Sequence, residues 1–167
     1  DLLKSEKYDR GMELLTRVIQ RTPRSTAPYI NLAIAQQNTG KLDAAEENLK
    51  KALAIDADHL VANNEYAIVY RRTGRFDEAR KTYEKILNKY PTFIPARKNL
   101  AILCDLYMND FDCALKNYQM VSDASPGDKA VQTWITDVKT RSGLLPPADP
   151  VLPDRPIPRT PRQPTTT

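Results

Sequence analysis

The chain has 167 residues, with 25 Lys and Arg against 21 Asp and Glu, a formal net charge of +4, two cysteines and one histidine. That length holds one domain and a tail, or two small domains; the interleaving of acids and bases argues against a nucleic-acid binder, and so few cysteines and histidines argue against most metal and redox centres. No apolar run approaches the roughly 18 residues of a membrane span, and Asp1-Leu2-Leu3-Lys4 is not a signal peptide, so any export signal is expected to have been removed or to lie outside this sequence.

Spacing is the strongest signal. Ala33, Ala67 and Ala101 recur every 34 residues, as do Ile34, Ile68 and Ile102, Gly40 and Gly74, and Asp9, Asp43 and Asp77. A period of that length marks a stacked-repeat architecture, which works through an extended surface rather than a catalytic pocket. In chain order, residues 1–25 read as a partial repeat. Lys7 to Leu15 matches the second helix of a unit whose first helix is represented only by Asp1 to Ser5, so the chain is expected to start in mid-repeat. Residues 26–59 form the clearest unit. Tyr29, Ile30, Leu32, Ala33 and Ile34 recur at helical spacing up to Asn38-Thr39-Gly40, where glycine suits the left-handed exit from a helix. A second helix opens at Leu42-Asp43, its acid at the positive end of the helix dipole, and continues through Ala45, Leu49, Ala52 and Leu53. Two helices of about 12–14 residues joined by a tight turn make a helical hairpin.

Residues 60–93 repeat the pattern, and so do residues 94–128 with a one-residue insertion in the first helix or its turn; Asn109 stands where the glycine was. Glu46–Lys50, Glu47–Lys51, Asp77–Lys81 and Asp112–Lys116 are acid-before-base pairs at i,i+4, the pattern of solvated helix faces. Residues 129–142 predict one capping helix with an apolar stripe of Val131, Trp134, Ile135 and Val138, and Trp134 is read as cap packing. Residues 143–167 predict an extended tail. Eight of the 22 residues from Pro146 onward are proline, a composition that favours polyproline II, and Thr160 and Thr165 to Thr167 are candidate O-glycosylation sites in a secreted assembly.

The small residues Ala33, Ala67, Ala101 and Ala45, Ala79, Ala114, the aromatics Tyr83 and Tyr118, and the prolines Pro23, Pro91 and Pro126 together resemble the tetratricopeptide-repeat family over about Asp1 to Pro126. The resemblance implies an all-α helical-hairpin solenoid, here ending in the capping helix and the proline-rich tail. The family's fourth-position tryptophan is replaced by Tyr29, Asn63 and Arg97. First helices line the concave surface in this family, which assigns Ile30, Ile34, Gln37, Asn38, Asn64, Ile68, Arg71, Arg72, Lys98, Ile102 and Leu106 to a peptide-binding groove. The Lys and Asn with which some members clamp acidic chaperone termini are replaced by Ile30 and Ile34, with Pro95 and Asn99 at the basic positions of the third repeat, which argues against a co-chaperone.

Catalytic signatures are missing from the sequence: no phosphate loop, no dinucleotide glycine fingerprint, no zinc-binding His-Glu-x-x-His and no nucleophile elbow. His59 reads as a surface residue and Asp56-Ala57-Asp58 as an inter-repeat turn. Cys104 and Cys113 lie on the two helices of the third hairpin and are either a disulfide pair or two buried thiols. A bond would imply an oxidising compartment, and the stretch Ile102 to Tyr107 with Cys113-Ala114-Leu115 resembles bacterial envelope members of the family. The expectation is therefore an extracytoplasmic bacterial protein, with a cytoplasmic one as the alternative. The reading is a non-enzymatic scaffold, without cofactor or metal, that binds a protein or peptide in its groove. The alternative is a self-assembling subunit of a surface filament, a homo-oligomer joined through its tail and repeat ends.

Overall fold

The computed structural model of the protein describes residues 2–145, with side chains from Glu6 onward; the predicted tail from Pro146 lies outside the described residues. Among those residues the structure is all helix: α1 (Leu2–Arg21), α2 (Thr26–Asn38), α3 (Leu42–Ile55), α4 (Leu60–Arg72), α5 (Phe76–Lys89), α6 (Ile94–Leu106), α7 (Phe111–Ala124) and α8 (Lys129–Arg141). The stub before Lys7 runs into α1 without a break. Two compact units divide the described residues, one with α1 to α4 up to Thr73 and one with α5 to α8 from Gly74.

In the first unit α2 packs on α1, α3 and α4, and α3 on α4. Tyr29, Ile30, Ala33, Ala45, Leu49, Ala52, Ala62 and Val69 form one buried cluster, with Ile34 and Tyr66 partly buried against it. In the second unit α6 packs on α5 and α7, and α7 on α8. Small residues allow these close approaches: Ala33, Ala45, Ala67, Ala79, Ala101 and Ala114 are all 0% exposed. Tyr83 and Tyr118 are buried with them in the second unit, while Leu49 holds the corresponding place in the first.

The turns explain the helix ends. Gly40 and Gly74 sit at φ 78° and 82°, a region that carries a steric cost for residues with a Cβ. The third hairpin turn runs over residues 107–110, one residue longer than 39–41 and 73–75. The insertion is therefore in the turn, and α6 keeps the length of α2 and α4. Asn109 takes the left-handed position at φ 52°, which asparagine tolerates better than most residues. His59, expected as a plain surface residue, caps α4: its Nδ1 accepts from the Ala62 N–H at 3.3 Å.

A periodic hydrogen bond ties each first helix to the turn before it. Tyr29 Oη donates to the Pro23 carbonyl at 3.3 Å, Asn63 Nδ2 to Ala57 at 3.0 Å, and Arg97 Nε to Pro91 at 3.0 Å. In α8, Gln132 Nε2 donates to the Pro126 carbonyl at 2.9 Å. The first three are the residues that replace the family's tryptophan, and the fourth shows that α8 stands in the register of a first helix. Gly143, at φ 77°, then falls at the place of Gly40, Gly74 and Asn109. What α8 lacks is the small residue: Thr136 takes the place of Ala33, Ala67 and Ala101, and it is exposed.

Candidate interaction surfaces

In the first unit, α2 and α4 bring several of the predicted groove residues together. Ile30 is buried at 4% exposure and belongs to the core, whereas Ile34 and Ile68 are half-buried and Asn38 is exposed. Gln37 and Asn64 are buried, and Arg71 and Arg72 half-buried. Gln37 Nε2 donates to Glu65 Oε2 at 2.9 Å, and Arg72 Nη1 donates to the Gln37 carbonyl at 2.7 Å. Arg72 thereby adds a second donor, beside the Gly40 N–H at 3.1 Å, to a carbonyl in the last turn of α2. Glu65 was not singled out in the sequence, yet its carboxylate is the hub of this cluster. Burial pushes its pKa up, and hydrogen bonds from Gln37 and Asn64 oppose that rise.

In the second unit, the predicted positions are held by neighbouring helices. Ile102 is buried and Leu106 half-buried. Lys98 lies 3.8 Å from Asp128 Oδ2 and 5.0 Å from the centre of the Trp134 ring, which itself packs at 5.6 Å from the ring of Tyr118. Because the insertion lies in the turn, the residue 34 positions after Arg71 is Asp105. Asp105 is fully buried, accepts from the Tyr118 hydroxyl at 3.2 Å, and pairs with Arg141 at the end of α8. Arg141 also bonds Asp137 at 2.9 Å. A charge pair thus fastens α8 to α6.

Cys104 and Cys113 are joined in a disulfide across the third hairpin, with their Cα atoms 5.9 Å apart. Asp110 lies beside them and completes the one group of metal-capable side chains found among the described residues. Its carboxylate is already engaged, accepting from the Cys113 N–H at 3.1 Å and from Arg80 at 2.8 Å. Those bonds, the backbone one first, hold the Asp110 carboxyl below the usual range. With both sulfurs in the disulfide, no thiolate is left to ligate a metal.

Repeated helix pairs with small residues at their crossings define a helical-hairpin repeat protein of the solenoid class. Residues 39–102 match the family described as Tetratricopeptide repeat, the family whose repeat pattern the sequence resembles. The chain is 30% identical over 106 residues to the probable UDP-N-acetylglucosamine--peptide N-acetylglucosaminyltransferase SPINDLY of Solanum lycopersicum, covering 62% of this chain and 11% of that protein. It is 31% identical over 88 residues to the protein O-mannosyl-transferase TMTC2 of Homo sapiens, covering 51% and 10%. The chain thus spans about a tenth of the length of these curated relatives. Among solved structures it is similar to MamA, with a TM-score of 0.73 at 18% identity over 84% of this chain and 82% of that one. It is also similar to YrrB, a TPR protein with an unusual peptide-binding site, with a TM-score of 0.69 at 21% identity over 80% and 68%. At these identities the two structures bear on the fold alone.

Proposed function

We propose that the protein is a non-enzymatic interaction scaffold that holds an extended peptide against its first helices. The observation that carries this reading is the α2–α4 face, where half-buried Ile34 and Ile68 stand on the same helix faces as Gln37, Asn64 and Glu65. Apolar side chains there supply burial, while the exposed Asn38 amide and the half-buried Glu65 carboxylate supply hydrogen-bond partners for a peptide main chain. The fold shared with YrrB, itself a protein with a peptide-binding site, supports a peptide as the class of ligand. The Cys104–Cys113 disulfide supports an oxidising compartment, and with it an extracytoplasmic location. Peptides selected from a random display library on the protein test the site. Ile68→Asp is expected to weaken their binding at least tenfold with helix content unchanged, and an unaltered affinity overturns the assignment.

A second reading, self-assembly through the C-terminal end, has one observation in its favour: Leu144 and Leu145 are 64% and 40% exposed. Burying that pair against another copy would join subunits end to end in a heterologous contact, which builds rings or open filaments.

A further inference from the structure

Between α5, α6 and α7 in the second unit lies a cleft of about 550 Å³. Arg97 of α6 lines it while being only 8% exposed. Its guanidinium donates through Nε and Nη2 to the Pro91 carbonyl, at 3.0 and 2.5 Å. Nη1 donates to Asn117 Oδ1 at 3.2 Å and to Met120 Sδ at 3.0 Å. These acceptors are a carbonyl, an amide and a thioether, none of them charged. A buried cation is normally paired with an anion because desolvating it alone is costly.

The repeat does not require that charge. The same tie to the preceding turn is made by Tyr29, Asn63 and Gln132, all neutral. Arginine at this position therefore has donors beyond that tie: Nη1 gives one N–H to Asn117 Oδ1 and the other to the weak acceptor sulfur of Met120. Met120 is 40% exposed, and methionine adapts readily to a new neighbour.

We propose that this cleft docks an acidic peptide segment of a partner protein, with one Asp or Glu carboxylate displacing the Met120 sulfur and pairing with Arg97. An arginine and a carboxylate make a planar, two-bond match. Leu87 and Leu100 at the cleft supply apolar contact beside the charge. The cleft's own acids limit how much negative charge can enter. Glu84 and Asp110 are held by Arg80 at 2.9 and 2.8 Å, and Asp112 stands one helical turn before Lys116 on α7. With three carboxylates at the walls, a single incoming carboxylate is tolerated and a doubly charged phosphate is repelled. The site is separate from the α2–α4 face, so either can fail without the other.

The test uses the full chain and two blocked pentapeptides, acetyl-Ala-Ala-Glu-Ala-Ala-amide and its Gln counterpart, followed by NMR at the Arg97 Nε–Hε and Met120 methyl signals. Both signals are expected to shift with the Glu peptide and not with the Gln peptide. Arg97→Gln keeps a donor for the Pro91 carbonyl, as Gln132 does for Pro126, and is expected to retain the fold and lose at least tenfold in affinity. Shifts of equal size with the Gln peptide, shifts confined to other residues, or no response at millimolar peptide overturn the proposal. So does an equal response to inorganic phosphate, which would make the cleft a general anion site. Should Arg97→Gln lose its fold, the two peptides on the unaltered chain still decide the matter.

Discussion

Positions 29, 63, 97 and 132 hold Tyr, Asn, Arg and Gln, yet each delivers a hydrogen bond to the carbonyl six residues earlier. What the fold asks for there is a donor of sufficient reach. Asn63→Leu removes bonds to both Ala57 and His59 and is expected to destabilise the chain by about 1–2 kcal/mol in urea unfolding, since each such bond contributes about 1 kcal/mol net. Read as residue types, Tyr29, Asn63 and Arg97 look like departures from a tryptophan, and the role they share with Gln132 was not legible. Glu65 escaped notice for a related reason: nothing about a lone glutamate on a helix announces that Gln37 will reach it from 28 residues away. Its raised pKa fixes the sign of a second prediction. The folded state binds a proton more readily than the unfolded chain, so Glu65 lowers stability as pH rises from the unfolded carboxylate range through its folded pKa. Glu65→Gln is expected to flatten that decline in thermal unfolding curves taken between pH 4 and 7.

For whole elements the sequence was far more informative. The paired helices, their lengths and the glycine turns followed from spacing alone, because alanine at a crossing and glycine at φ near 80° each have few substitutes. What spacing left open was the seat of the inserted residue, since a longer helix and a longer turn give the same count. Placing it in the turn moves the predicted site from Leu106 to Asp105, which is spent on Arg141. Asn109→Ala is expected to cost about 1 kcal/mol, the penalty of a Cβ-bearing residue in the left-handed region, whereas Asn109→Gly should be neutral within error; urea midpoints of both variants check this. The disulfide closes a loop with a separation of nine residues, for which chain entropy gives a stabilisation of roughly 2.5 kcal/mol. Reduction is expected to lower unfolding free energy by about that amount, and a Cys104→Ala, Cys113→Ser pair should show the same loss without reductant.

Taken over the whole molecule, the repeats make a scaffold whose last described helix is held by charge as well as by packing. Removing Arg141 takes a charge partner from the buried Asp105 carboxylate, and breaking a buried pair in this way costs about 3 kcal/mol or more. Arg141→Leu is expected to speed amide exchange in α8 first. Light scattering tests the assembly reading: the intact chain should show concentration-dependent mass that a chain ending at Gly143 lacks, and equal monomer masses would remove that reading. The predicted groove was legible only in part, as a set of equivalent register positions. Sequence cannot show that Ile30 and Ile102 are absorbed by the core while Ile34 and Ile68 stay half open, because the same side chain serves both ends and only the neighbouring helix decides.

The bond from each first helix to the turn before it has one more implication. A position whose fixed obligation can be met by a phenol, an amide or a guanidinium is one where evolution can change the outward chemistry of a repeat without rebuilding its frame. Drift at residues 63 and 132, the more open of the four, would then alter what a repeat offers a partner while leaving its stacking intact, and a designer could rewrite specificity there one unit at a time.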